Sequence, residues 1–137
     1  MRAIGLSLIA AAIAWAQSAP DVVDFLHSTA AALASAHDPQ STGRPDARPF
    51  LEQFDPAMPG FAELRAEVEE LVSRAEVGAA IEVASDEGDD NKRVLQLDWV
   101  LEIEDQRPRR KIVKCTIERM HKVWKITALD PIDFFKY

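Results

Sequence analysis

Cysteine is nearly absent from this chain of 137 residues: there is one, Cys115. A lone thiol makes no internal disulfide, so the fold is not a small scaffold held by crosslinks. Histidine is scarce too, with three residues, His27, His37 and His121. No two of them stand at the i, i+4 spacing of a histidine-based metal site, so no metal and no cofactor is expected. Positive charge is in deficit, with 16 Lys and Arg against 23 Asp and Glu and a net charge of −7. That balance argues against binding nucleic acid through bulk charge. Internal repeats and low-complexity tracts are lacking, and a hydrophobic content of 47% excludes a disordered chain. The longest apolar run, residues 3–16, falls short of the roughly 20 residues a membrane span takes. The length allows one domain.

What is present begins with a leader pattern. Met1 and Arg2 form a minimal positive start, residues 3–13 are apolar, and Ala14 and Ala16 stand at the two positions a signal peptidase inspects. The expectation is a signal peptide over residues 1–16, cleaved near Ala16, and a single domain over residues 17–137, exported to the periplasm or beyond with no stable membrane anchor. No cysteine follows the apolar run, which argues against a lipid-anchored form. Loss of Arg2 with the leader moves the net charge from −7 to −8. Export would place Cys115 in an oxidising compartment. Its phase with Val113 and Ile117 predicts a buried small hydrophobe rather than a nucleophile.

The domain reads as helices first and strands after. Apolar residues at helical spacing predict helices over residues 20–36, 50–54 and 61–75. After Ala75 the period becomes two, predicting strands over 77–85, 93–104, 109–120 and 122–129, joined by turns at 86–91, 105–108 and His121. Leu95, Leu97, Trp99, Leu101 and Ile103 share one face of the longest strand; Gln96, Asp98, Val100 and Glu102 share the other. One face therefore packs on helices and one is polar, with pairs such as Asp98 or Glu102 to Lys114 expected across strands. The class is α+β, an antiparallel meander covered by helices.

This order of elements resembles the NTF2-like (SnoaL-like) superfamily. Val123-Trp124-Lys125-Ile126 followed by Asp130-Pro131 resembles the W-K-I final strand common there. Phe50-Leu51-Glu52-Gln53-Phe54 resembles its F-L-x-x-F second helix, and the strand carrying Asp98-Trp99 resembles its central strand. The resemblance spans residues 19–135. It implies a cone, in which three N-terminal helices pack on a curved sheet and leave a pocket at the wide end. It also implies homodimers formed through the outer sheet face. Members include isomerases, dehydratases, polyketide cyclases and proteins without known activity.

The candidate pocket residues are Phe54, Met58, Phe61, Trp99, Cys115, Trp124 and Phe135, with plain core as the competing reading. A general base in such a pocket is tuned by burial, but the inward phase of the long strand is wholly apolar. Asp98 is the one acid with a suggestive position, and its phase points outward unless a bulge intervenes. Two readings stay open: a non-catalytic domain binding a small apolar ligand or serving as a dimeric accessory module, and an isomerase, dehydratase or hydrolase with Asp98 as base. A dimer would use Gln96, Asp98, Val100 and Thr116. The basic tip at residues 107–111 is expected to pair with Glu102, Glu104 and Asp105, and the acidic residues 86–91 to form a solvated turn. Phe134, Phe135 and Tyr137 either cover the mouth of the cone or meet a partner.

Overall fold

Three α-helices and a four-stranded antiparallel sheet make up the computed structural model, which describes residues 18–37 and 44–137. The expected leader lies outside the described residues. The class is α+β, as the change of period at Ala75 predicts. No helix among the described residues is long and apolar enough to cross a membrane.

Helix α1, Pro20–Ala34, has proline in its first turn, where the missing N–H costs nothing. Val22, Leu26, Ala30 and Leu33 recur every three or four residues and are buried. Val22, Leu26 and Leu33 each contribute about 1.5–3 kcal/mol of transfer free energy, and the single methyl of Ala30 about 0.8 kcal/mol. The helix ends two residues before the expected 36 because Ser35 turns back, its hydroxyl donating to the Ala31 carbonyl at 2.8 Å. Helix α2, Arg48–Leu51, lies earlier than expected. Pro49 presets its first turn, and Phe54 is withdrawn from it by a parallel bridge to Ile126. The Ile126 N–H donates to the Gln53 carbonyl, and the Asp55 N–H donates to the Ile126 carbonyl, both at 2.9 Å. These bonds cap one sheet edge that would otherwise stand open. Helix α3, Phe61–Arg74, starts from Gly60 in the left-handed region (φ 79°) and buries Leu64, Val68, Leu71 and Val72.

The strands are β1 (Val77–Gly88), β2 (Lys92–Ile103), β3 (Arg109–Met120) and β4 (Val123–Asp130), paired in chain order. His121 and Lys122, both at positive φ, make the tight turn between β3 and β4. Two bulges break the alternation. Ala84 is unpaired between Val83 and Ser85 on β1, and Thr127 is extra on β4 between the Ile126 and Ala128 pairings. Each bends its strand and reverses the phase beyond it. Leu129 therefore turns inward and is buried, and Asp86 stands opposite buried Leu95 on the inner face rather than opening a turn. The expected pairing of Asp98 or Glu102 with Lys114 is replaced. Lys114 is opposite Gln96, Glu102 is opposite Gly78, and Asp98 meets Arg110 instead.

After β4 comes a short 3₁₀ turn, Ile132–Phe135, which buries Phe134 and Phe135. It packs against α3 and over the middle of the inner sheet face. The core thus lies between the sheet, the three helices and this terminal turn.

Candidate functional site

The inner sheet face is apolar along its centre because period-two alternation places Leu95, Leu97, Trp99, Leu101, Val113, Cys115 and Ile117 there, all without exposure. Trp99 is the hub of an aromatic cluster. Its ring centroid lies 5.1 Å from Phe135, 6.1 Å from Phe134 and 6.3 Å from Phe50, each edge to face. Phe50 in turn contacts Phe54 at 5.1 Å and Phe135 at 5.6 Å. Edge-to-face pairs of this kind add about 0.5–1.5 kcal/mol beyond the area they bury.

Of the seven candidate pocket residues, Phe54, Met58, Trp99, Cys115, Trp124 and Phe135 are buried core, and Phe61 is half-buried. The structure does not gather them around one cavity. Two of them, Phe54 and Phe61, line a surface cleft of about 800 Å³ between α2, α3 and the β3–β4 turn. Its apolar floor is completed by Leu51 and Met120, and Arg65 and Lys125 stand at its rim. The Lys125 ammonium donates to the Glu52 carbonyl, which holds that wall. Neither Arg65 nor Lys125 is in an ion pair among the described residues. This cleft was not legible from sequence, because it depends on where α2 ends and on the Phe54–Ile126 bridge.

A group of hydrogen-bonded side chains gathers at one end of the inner face. There Asp86 accepts hydrogen bonds from Arg93 Nε and Ser18 Oγ, both at 2.6 Å, with side-chain exposures of 10% for Asp86 and 20% for Arg93. Beside this pair, Asp21 of α1 accepts from Arg119 Nη2 at 2.5 Å and from Trp124 Nε1 at 3.0 Å. The Arg119 guanidinium lies 4.3 Å over the Trp124 ring. The indole and guanidinium donors hold the Asp21 carboxyl below its ordinary value. Every member of the group has a partner, so the arrangement fastens the start of α1 to the sheet and offers no free acid or base.

Asp98 lies on the outer face, where Arg110 grips it with two hydrogen bonds of 2.9 and 2.5 Å. These bonds keep its carboxyl below the usual aspartate range. An acid so placed does not take a proton from a substrate in the core. Cys115 is enclosed, and burial pushes its thiol up to about 12. Gln96, Val100 and Thr116 share the outer face with Asp98, exposed or half-buried. On that face Glu82, Asp98 and Glu102 stand on β1 and β2, and Arg110 and Lys114 on β3. The basic tip does not pair as expected with Glu102, Glu104 and Asp105: Arg110 takes Asp98, and Arg109 reaches the terminal turn.

His37 joins the end of α1 to α3. Its Nδ1 lies 2.8 Å from the Val72 carbonyl of α3, which makes Nδ1 the protonated nitrogen. Among the described residues no three His, Cys, Asp or Glu side chains converge to hold a metal ion. Among the described residues two side-chain polar atoms are buried without a partner, Trp99 Nε1 and Glu67 Oε2. No protein-family model matches the chain, and no curated protein matches its sequence.

Proposed function

We propose that this chain is an exported, non-catalytic binding domain of the NTF2-like (SnoaL-like) type that takes a small apolar ligand. The observation that carries the reading is the cleft of about 800 Å³ floored by Leu51, Phe54, Phe61 and Met120. It is of the size of small-molecule sites and concave, with an apolar floor ringed by charged side chains such as Arg48, Arg65, Glu69 and Lys125. Supporting the NTF2-like cone are the order of elements, three helices before a four-stranded meander, and the two bulges that bend the sheet. The enzymatic reading through Asp98 loses its ground, since that carboxylate is held on the outer face by Arg110.

Native mass spectrometry of the protein purified from its own host tests the proposal. A retained apolar molecule that is lost in Phe61→Asp supports the cleft. A bare protein mass, with no binding of decanoic acid or naphthalene in solution, overturns it.

A second reading concerns self-association. On the outer face Glu82, Asp98 and Glu102 of β1 and β2 stand beside Arg110 and Lys114 of β3, and Lys92 opposite Glu118 reverses that order at one end. A two-fold axis lying between two facing sheets and parallel to the strands lays Glu82, Asp98 and Glu102 of one copy over the β3 side of the other, as an isologous interface requires. Sedimentation of wild type against Arg110→Glu measures this. A salt-sensitive dimer abolished by the substitution supports it, and a wild-type monomer at high concentration excludes it.

A further inference from the structure

The cleft lies at the surface, and a different feature lies inside. Trp99 has no exposure, yet its indole N–H has no acceptor. Trp124 makes the contrast, since its indole N–H is bonded to Asp21. A fully buried donor without an acceptor is uncommon, because its hydration is given up and nothing replaces it. Glu67 Oε2, on the α3 side, is a second buried polar atom without a partner. Both residues abut the terminal turn. Trp99 packs on Phe134 and Phe135, and Glu67 senses the charges of Asp133 and Lys136.

The turn is fastened by side chains. Among the described residues no backbone hydrogen bond ties 131–137 to the sheet or the helices; the Lys136 N–H bonds only back to Asp133. The tie is one side chain, Arg109, whose Nη1 donates to the carbonyls of Phe134 at 2.7 Å and Lys136 at 2.6 Å. Arg74 adds a contact of 5.0 Å over the Tyr137 ring. Moving the turn therefore breaks no ladder bond. It exchanges two aromatic rings and the Arg109 bonds for whatever enters.

We propose that the terminal turn is a plug over an interior binding site whose floor is Trp99, and that the site takes a small apolar molecule carrying one hydrogen-bond acceptor. The acceptor meets the Trp99 N–H, and the apolar body replaces Phe134 and Phe135 against Phe50. Arg109 acts as the latch. The site is separate from the surface cleft, and the inference does not rest on that cleft binding anything.

The test titrates the ¹⁵N-labelled full chain with acetophenone and with α-methylstyrene, near-isosteres that differ in having or lacking an acceptor. Indole N–H signals are assigned with Trp99→Phe. Acetophenone is expected to shift the Trp99 Nε1–H signal and to bind at least 5-fold more tightly than α-methylstyrene. Arg109→Gln, which weakens the latch without touching the floor, is expected to tighten acetophenone several-fold by raising the open population. Equal affinities for the two probes, an unmoved Trp99 signal, or an affinity unchanged in Arg109→Gln overturns the proposal. Shifts confined to Phe61 and Met120 show binding at the cleft alone and overturn the plug while leaving the cleft standing. If Trp99→Phe fails to fold, the Trp99 signal is assigned through its contacts to Phe135, and the Arg109→Gln comparison stands by itself.

Discussion

Phe135 belongs to the short 3₁₀ turn that follows β4 and is buried there. Its ring has no exposure and lies 5.1 Å from Trp99, 5.3 Å from Phe134 and 5.6 Å from Phe50. Phe135→Ala removes a phenyl ring from among three aromatic partners, and the rigid sheet beneath it collapses only partly into the space. Such truncations cost about 3–5 kcal/mol. The upper half of that range applies if Trp99 keeps its place, and the lower if the turn detaches and water replaces the ring. Against a total stability of about 5–15 kcal/mol the loss is large. Urea unfolding followed by circular dichroism, on wild type, Phe135→Ala and Tyr137→Ala, reads it directly. Tyr137, exposed and held by one cation–π contact, is expected to cost less than about 1 kcal/mol. A Phe135→Ala loss below about 1 kcal/mol, equal to that of Tyr137→Ala, refutes the placement of the turn in the core.

Cys115, its thiol raised to about 12 by burial, is expected to stay unreactive toward a disulfide reagent at pH 8 in the native protein and to react fully in urea; native reactivity on the minute scale contradicts its burial. Gly60→Ala places a Cβ 2.3 Å from Ile132 Cδ1 and forces alanine into φ 79°, a loss of about 1–2 kcal/mol in thermal or urea unfolding, of which Ile132→Val relieves only the steric share. Glu67 has a raised folded value, first from burial and then from Glu63 and Asp133, with Lys136 opposing. Its proton is held more tightly folded than unfolded, so the charged form weakens the fold as pH rises through the raised value. Glu67→Gln should raise the melting temperature at pH 7 and leave it unchanged at pH 4; a lower melting temperature at pH 7 contradicts the assignment. Asp86→Ala strands Arg93 at 20% side-chain exposure and is expected to cost about 2 kcal/mol, against no measurable change for Asp98→Ala, whose partner Arg110 is 71% exposed.

The legible part of the fold is the part governed by local period. The stripe of α3 and the alternation from Leu95 to Ile103 place those side chains inside without reference to any distant residue, and the structure buries them. The illegible parts depend on contacts between segments far apart. Helix α2 is displaced because Phe54 has a partner 72 positions later, in Ile126. The inner-face position of Asp86 follows from a single unpaired residue, Ala84, and nothing in the composition of residues 77–88 marks where such a bulge falls. The pairing of the basic tip failed as an expectation for the same reason. Arg109 is drawn to carbonyls 25 and 27 residues away rather than to the nearby acids. The candidate pocket residues were chosen for bulk and phase, which select core members correctly but cannot separate a filled interior from an open one.

That last distinction turns on polar atoms rather than apolar ones. A small domain consumes most of its aromatic side chains in burial, so the presence of Phe50, Phe54, Trp99 and Phe135 in one cluster says nothing about a ligand. At the end of the inner face, where Ser18, Asp21, Asp86, Arg93, Arg119 and Trp124 meet, each buried donor has found an acceptor, and the result is a fastening. In the middle of the same face the single donor, Trp99 Nε1, has none. Phenylalanine in its place would strand no N–H, but its smaller ring would leave part of the space unfilled. The volume that tryptophan adds and the N–H it strands oppose each other at this position, and an acceptor that reaches the N–H when the covering turn moves would remove the cost while keeping the volume.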